Sequence, residues 1–195
     1  MSERVVVPGG RDVRGVREGP ESDRIVVCCP PHPRMGGSRS DPRIRAVSDS
    51  LADRGLASLR FDYGPWDEGR GEVADAVAAL RWARERYDAV GLAGYSFGGG
   101  VALLAASESD PDALAVLAPV STVGDRDAAA TVASLSCPLA VVYGERDDTA
   151  DWRAVVDAVR DRGGTVEALD ADHFFVGRRE QVGGAIAALV EAQLS

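Results

Sequence analysis

The sequence has 195 residues and a formal net charge of −9, so its length fits one domain and its acidity argues against nucleic-acid binding. No apolar segment is long enough to span a membrane, and no basic region followed by an apolar core begins the chain. From these features we expect no membrane partner and a cytoplasmic residence.

Short apolar runs alternate with helical patterns along the chain. Runs at 4–7 and 13–16 predict an antiparallel pair at one edge of a sheet. The other predicted strands are 25–29, 56–61, 89–93, 114–118, 139–143 and 166–169. The predicted helices are 42–54, 72–87, 97–107, 150–162 and 180–193. This alternation predicts the α/β class, with a single domain over 1–195, a mainly parallel sheet and helices on both faces.

A serine lies at a sharp corner between a predicted strand and a predicted helix. The sequence Gly-Tyr-Ser-Phe-Gly at 94–98 follows the apolar run 89–93 and leads directly into the helix. This pattern is typical of a nucleophile elbow, in which Gly94 and Gly98 permit a strained serine backbone that exposes the hydroxyl. The helix also directs its free N–H groups at the same point. We therefore predict Ser96 as a nucleophile.

A general base and an orienting acid follow in the chain order that this architecture uses. Only two histidines occur, and His173 is the one that lies downstream of Ser96, just after the strand-like run 165–169. Asp147 follows the predicted strand 139–143, where a carboxylate can reach the imidazole and fix its tautomer. The sequence predicts His173 as the base and Asp147 as the acid, with Asp148 as the alternative acid.

An oxyanion hole needs two N–H donors. Phe97, the residue after the nucleophile, is predicted to supply one. The loop 30–37 after the strand 25–29 is predicted to supply the other. Pro33 has no N–H, so Arg34 or Met35 is the expected second donor.

Together these motifs resemble the α/β-hydrolase superfamily, and most closely its small, lidless branch of dienelactone-hydrolase-like and short esterase-like proteins. The resemblance implies a serine hydrolase with a triad of Ser96, Asp147 and His173. Serine stands where dienelactone hydrolases proper usually carry cysteine. The segments that carry the resemblance are 32–37, 59–63, 94–99, 143–147 and 171–175.

The expected site is open and shallow. Residues 119–137, where a lid would be inserted, predict only a loop with one short helix around 127–135. By fold analogy the expected substrate is a small ester, thioester or lactone, and no cofactor or metal is predicted. The alternatives are a non-catalytic small-molecule-binding protein with the same fold, or acyl transfer or C–C bond hydrolysis by the same residues. The side chains expected to wall the site are Tyr63, Trp66, Tyr95, Phe97, Val120, Phe174 and Phe175.

Composition also predicts the milieu of the protein. The chain has no lysine, and its surplus of aspartate over glutamate predicts a strongly hydrated surface of the kind that suits high salt. We expect a halophilic or very GC-rich source.

The chain has three cysteines, which are Cys28, Cys29 and Cys137. They form neither a disulfide framework nor a zinc pattern, and we interpret them as small apolar fillers. The oligomeric state is left open.

Overall fold

The strands of the central sheet follow the apolar runs of the sequence. The computed structural model describes residues 1–9 and 11–194. Its strands are β1 (Ser2–Val7), β2 (Val13–Glu18), β3 (Arg24–Cys29), β4 (Ala57–Asp62), β5 (Ala89–Tyr95), β6 (Ala113–Leu117), β7 (Thr122–Val123), β8 (Arg126–Asp127), β9 (Leu139–Gly144) and β10 (Thr165–Leu169). Its α-helices are α1 (Pro42–Asp53), α2 (Arg70–Arg84), α3 (Phe97–Ser109), α4 (Ala128–Thr131), α5 (Arg153–Asp161) and α6 (Arg179–Gln193).

One eight-stranded sheet runs through the molecule in the order β1-β2-β4-β3-β5-β6-β9-β10. The strands from β4 to β10 in that order pair in parallel, whereas β2 pairs antiparallel with β4 and β1 antiparallel with β2. Helices α2, α3 and α5 pack on one face of the sheet, and α1 and α6 pack on the other. The predicted α/β fold and its antiparallel N-terminal pair are therefore confirmed.

Two helices begin two or more residues away from their predicted starts, and in each case a carboxylate explains the difference. Helix α2 begins two residues early, at Arg70, because the Glu72 carboxylate accepts the N–H groups of Asp67 and Gly69 ahead of the helix. Helix α5 begins three residues late, at Arg153. The residues before it form a loop that is folded around the Asp147 side chain.

Residues 119–137 form no lid. The predicted short helix is present as α4, followed by a 3-10 turn at Val132–Ser134. Ahead of it lies a small hairpin of β7 and β8, which was not predicted. The Ser121 hydroxyl donates a hydrogen bond of 2.7 Å to Asp151 and ties this segment to the loop before α5. The segment therefore lies beside the carboxyl edge of the sheet and leaves that edge uncovered.

The predicted functional residues follow the carboxyl ends of three strands. Ser96 follows β5, Asp147 lies three residues after β9, and His173 lies four residues after β10. Because β5, β9 and β10 all run in the same direction, these strand ends lie at one edge of the sheet.

Candidate active site

Ser96 occupies a strained backbone conformation between β5 and α3. Its φ of 57° and ψ of −120° lie outside the regions that most residues with a Cβ adopt. The turn is tight because the flanking glycines lie against other backbone atoms. A Cβ on Gly94 would collide with the backbone of Gly98, and a Cβ on Gly98 would collide with the carbonyls of Cys29 and Pro30. The glycines of the 94–98 motif are therefore required by close approach.

The structure brings Ser96, His173 and Asp147 into one hydrogen-bonded chain. Ser96 Oγ lies 3.0 Å from His173 Nε2, and His173 Nδ1 lies 2.8 Å from Asp147 Oδ2. His173 is 5 % exposed and Asp147 is 1 % exposed. Both distances along this chain are those of formed hydrogen bonds. Asp148, the alternative acid, is exposed and makes no such contact among the described residues.

The environment of Asp147 keeps its carboxylate charged. Burial acts to raise the pKa of Asp147, but hydrogen bonds from His173 and from the N–H groups of Ala150 and Thr149 outweigh it, so the pKa lies below its ordinary value. An ionised Asp147 accepts the Nδ1–H of His173. The imidazole then presents an unprotonated Nε2 to the hydroxyl of Ser96.

Tyr95 makes a second set of contacts to His173, in addition to those of Asp147. Its hydroxyl donates a 2.9 Å hydrogen bond to the backbone carbonyl of His173, and its ring stacks on the imidazole at 5.4 Å. Burial raises the pKa of Tyr95, so the hydroxyl keeps the proton it donates. The Arg43 guanidinium lies 4.7 Å over the Tyr95 ring and pairs with Asp41 at 2.6 Å. His173 is thus bonded to Tyr95, the residue before Ser96, as well as to Asp147.

The loop 30–37 does not offer the donors that the sequence predicted. It contains a 3-10 turn, Pro33–Met35, in which the Arg34 N–H donates to His32 Nδ1 at 3.2 Å and the Met35 N–H donates to the His32 carbonyl at 3.0 Å. Both N–H groups are already used within the turn, which corrects the expectation that Arg34 or Met35 supplies the second oxyanion donor. Within the described part of the chain, the backbone N–H of His32 itself has no acceptor.

A cavity of about 640 Å³ opens in front of Ser96 and His173. Of the side chains expected to wall it, Trp66, Tyr95, Phe97, Val120 and Phe174 do so. The other two do not.

Tyr63 lies behind the wall, where it is buried, packs edge-on against Phe97 and donates its hydroxyl to the Pro30 carbonyl at 3.1 Å. Phe175 is fully buried in the core between the sheet, α1 and α6. Neither side chain reaches the cavity, which corrects both expectations.

Several cavity residues were not predicted from the sequence. His32 lies upstream of Ser96, outside the chain order expected of the base, yet its ring lines the cavity. Asp41 and Arg43 come from the start of α1, and Thr122, Val123 and Gly124 come from the unpredicted hairpin. The sequence holds a signal for Asp41, because an aspartate directly before a proline that starts a helix is typical of a helix cap, and the helix after β3 begins near the carboxyl edge of the sheet. Nothing in the sequence indicated the hairpin residues.

Comparisons with known proteins agree with this architecture. The sequence pattern of the family described as alpha/beta hydrolase domain matches residues 35–191. A lidless α/β serine hydrolase from Xanthomonas campestris is 26 % identical, with a TM-score of 0.83 over 99 % of this chain and 95 % of that one. A dienelactone hydrolase from Anabaena variabilis is 22 % identical and shares the fold, with a TM-score of 0.80 over 100 % and 99 % of the two chains.

An uncharacterized protein from Rickettsia prowazekii is 27 % identical over 182 residues, which covers 83 % of this chain and 76 % of that protein. The family match extends from the turn beside the cavity to the last helix, and so includes the elbow, Asp147 and His173. The chain belongs to the α/β hydrolase family, and its structural neighbours include lidless serine hydrolases and dienelactone-hydrolase-like proteins.

Proposed function

We propose that this protein is a serine hydrolase that cleaves small carboxylic esters, thioesters or lactones through an acyl-enzyme intermediate. The observation that carries the proposal is the chain of hydrogen bonds from Ser96 Oγ through His173 to Asp147. A nucleophile, a base within reach of it and an acid that orients the base form the arrangement used for nucleophilic acyl transfer.

In the first half of the reaction, Ser96 Oγ attacks the carbonyl carbon of the substrate while His173 Nε2 accepts the hydroxyl proton. Asp147 stabilises the imidazolium that forms, because its carboxylate stays ionised beside Nδ1–H. The imidazolium then protonates the departing alcohol, thiol or lactone oxygen. The acyl group remains on Ser96 as an ester.

Two backbone N–H groups beside the nucleophile are suited to the oxyanion of the tetrahedral intermediate. Phe97 begins α3, so its N–H has no acceptor within the helix. His32 carries the unpartnered N–H of the neighbouring loop. The two residues are close, because their rings lie 4.7 Å apart and Gly98 contacts the carbonyls just before His32. We therefore assign the second donor to His32 in place of Arg34 or Met35.

In the second half, water attacks the acyl-enzyme with His173 as base and releases the acid and free Ser96. The open cavity gives water access, because residues 119–137 leave the carboxyl edge uncovered. Its walls of Trp66, Phe97, Val120 and Phe174 are apolar. This lining favours substrates with a small apolar or aromatic group next to the scissile carbonyl. Trp66, Tyr95 and Phe174 are thus the proposed substrate-contacting side chains.

Labelling with a fluorophosphonate probe tests the nucleophile directly. The probe reacts with an activated serine hydroxyl and releases fluoride, and its attachment is read by intact-protein mass spectrometry. We expect one label on the wild type and none on Ser96→Ala. His173→Ala should be labelled far more slowly, because the hydroxyl has lost its base. Equal labelling of the wild type and Ser96→Ala would overturn the proposal.

A panel of p-nitrophenyl esters, thioesters and lactones then separates hydrolysis from the alternatives. Release of product in step with substrate loss supports hydrolysis, and the rate should vanish in Ser96→Ala. Labelling of Ser96 without turnover of any member would instead favour a binding protein that retains the fold. An acyl product on an added alcohol would favour acyl transfer.

We also propose a cytoplasmic, salt-rich milieu. All three cysteines are free and buried, and no described helix has the length and apolarity that crossing a bilayer requires. The formal net charge of −9 with no lysine supports a surface adapted to salt. The melting temperature should therefore rise from low to multimolar KCl, and a decrease or no change would argue against this origin.

A further inference from the structure

The His32 side chain is built into the wall between the two proposed oxyanion donors. Its ring lies 4.6 Å from the Trp66 ring and 4.7 Å from the Phe97 ring. Its Nδ1 accepts the Arg34 N–H, and its carbonyl accepts the N–H groups of Met35 and Gly37 at 3.0 Å each. His32 therefore accepts the N–H groups of Arg34, Met35 and Gly37, and Pro33 accepts that of Gly36. Most of the bonds that close the turn 33–37 thus end on the residue whose own backbone N–H lies beside it.

This geometry sets the protonation state of the ring. Nδ1 can accept a hydrogen bond only while it carries no proton, so the neutral ring holds its proton on Nε2. The bond from a backbone N–H two residues later has the form of an Asx turn, in which an aspartate or asparagine oxygen normally takes the place of Nδ1. A doubly protonated ring would direct one N–H at another, and the turn would lose this bond.

We propose that His32 is a positioning residue: its neutral imidazole closes the turn 33–37 and so holds the His32 backbone N–H at the oxyanion site. This inference rests on the proposed hydrolase function and deepens it. The imidazole acts through the loop, in contrast to His173, which exchanges protons with Ser96. Both histidines of the chain would then serve the reaction. His173 would act as a base, and His32 would act as a hydrogen-bond acceptor in its neutral form.

The surroundings of His32 favour the neutral form of its ring. Burial lowers the pKa of His32; the Glu72 carboxylate opposes that decrease and the Arg34 guanidinium adds to it. Trp66 and Phe97, which cover the ring, carry no charge. The other charged or titratable residues that line the same cavity are Asp41, Arg43, Glu68 and His173. Above the lowered pKa the turn is closed, and as the pH falls through it the turn opens.

Two variants separate the acceptor from the ring. His32→Asn keeps an acceptor for the Arg34 N–H and removes the ring, whereas His32→Phe keeps an aromatic ring against Trp66 and Phe97 and removes the acceptor. On a p-nitrophenyl ester, we expect His32→Asn to retain kcat within about threefold. His32→Phe should lose about 10-fold to 100-fold in kcat with a smaller change in KM, as a shift of about 1 Å at a reacting group can cause.

The pH profile supplies a readout that a purely structural role would not change. In the wild type, the acid limb of log kcat/KM should contain a step from the protonation of His32, because the protonated ring opens the turn. In His32→Asn that step should be absent. An identical acid limb in the two proteins would overturn the inference, even if His32→Phe failed to fold.

The outcome can be told apart from a failure of the proposed function. Thermal melting of all three proteins checks that each is folded at the assay temperature, and fluorophosphonate labelling of wild-type Ser96 checks the function. Absence of labelling in the wild type contradicts the hydrolase itself. Normal labelling of the wild type with equal kcat in folded His32→Asn and His32→Phe contradicts only the role of the His32 acceptor.

Discussion

The two sides of the site are held in different ways. On the acid-base side, Asp147 and His173 are almost fully buried, and the carboxylate accepts three hydrogen bonds from the imidazole, Thr149 and Ala150. On the oxyanion side, the turn Pro33–Met35 lies at the surface, and Met35 is 82 % exposed. The first side combines local bonds to Asp147 with a long-range bond between the loops that follow β9 and β10, whereas the second is fixed by short-range bonds within one turn.

This difference matches what each side is proposed to do. The buried Asp147 carboxylate needs its hydrogen bonds satisfied, because an unpaired charge away from water is costly. Backbone N–H donors need only a fixed direction, which one short turn can supply. Disruption of the acid-base side should therefore act on proton transfer, and disruption of the oxyanion side should act on the position of the donors. The following substitutions test that contrast.

Asp147→Asn should have the largest effect. The amide cannot stabilise the imidazolium and favours the wrong tautomer of His173, so kcat/KM for an ester should fall by about 10³-fold to 10⁴-fold. Steady-state hydrolysis of a p-nitrophenyl ester measures the change. Asp148→Asn is the matched control, since that neighbouring carboxylate is exposed, and it should leave kcat/KM nearly unchanged. The reverse pattern would make Asp148 the acid of the triad.

Gly37→Ala should act on the oxyanion side. A Cβ on Gly37 would collide with the Pro31 carbonyl, so the turn must move and kcat should fall about 10-fold to 100-fold. Gly36→Ala is the control: its φ is 82°, but nothing lies within 4 Å of the added atom. That variant should lose about 1 to 2 kcal/mol of stability through backbone strain and keep most of its kcat. Equal kcat in both variants would show that the position of the turn 33–37 does not affect the reaction.

The acid-base side could be predicted from the sequence largely because strand order and motif order coincide. Ser96, Asp147 and His173 each follow an apolar run, and parallel strands must end at one edge of the sheet. The fold could be predicted for the same reason, since alternating apolar runs and helical patterns allow few architectures. The errors in the predicted helix starts lie where the carboxylates of Glu72 and Asp147 decide the boundary.

The oxyanion side could not be predicted, because its geometry depends on which N–H groups the turn itself uses. Excluding Pro33 for its missing N–H was sound, but the sequence does not reveal that His32 Nδ1 occupies the Arg34 N–H. Side-chain direction caused the other errors. Tyr63 follows a strand beside the site, yet its ring turns inward to the Pro30 carbonyl. The β7-β8 hairpin is too short for any periodic signal.

Tyr95→Phe tests the second attachment of the base and should have a smaller effect than either substitution above. It removes the hydrogen bond to the His173 carbonyl and leaves that buried acceptor unpaired, while the stacked ring remains. Stability should fall by about 1 to 3 kcal/mol by denaturant unfolding. The kcat should fall by less than tenfold, because Asp147 still orients the imidazole.

Tyr143→Phe serves as the control, since the hydroxyl of Tyr143 is bonded to Arg160 rather than to the base. It should leave kcat unchanged. A larger loss of kcat in Tyr143→Phe than in Tyr95→Phe would contradict the claim that the Tyr95 hydroxyl helps to position His173.

Met35→Ala should have the smallest effect, and it tests the most exposed residue of the oxyanion side. The side chain lines the cavity yet is mostly in water, so its loss should change stability by no more than about 0.5 kcal/mol. A bound acyl chain long enough to reach it would lose apolar contact, and KM for an octanoyl ester should rise about threefold, close to the value of one buried methylene. KM for an acetyl ester should not change.

The control is Val6→Ala, which shortens an exposed apolar side chain on β1 outside the cavity. It should change neither the KM for the octanoyl ester nor the KM for the acetyl ester. A uniform rise in KM for both esters in Met35→Ala would mean that the turn moves when Met35 is shortened, and the oxyanion side would then depend on more than the bonds to His32.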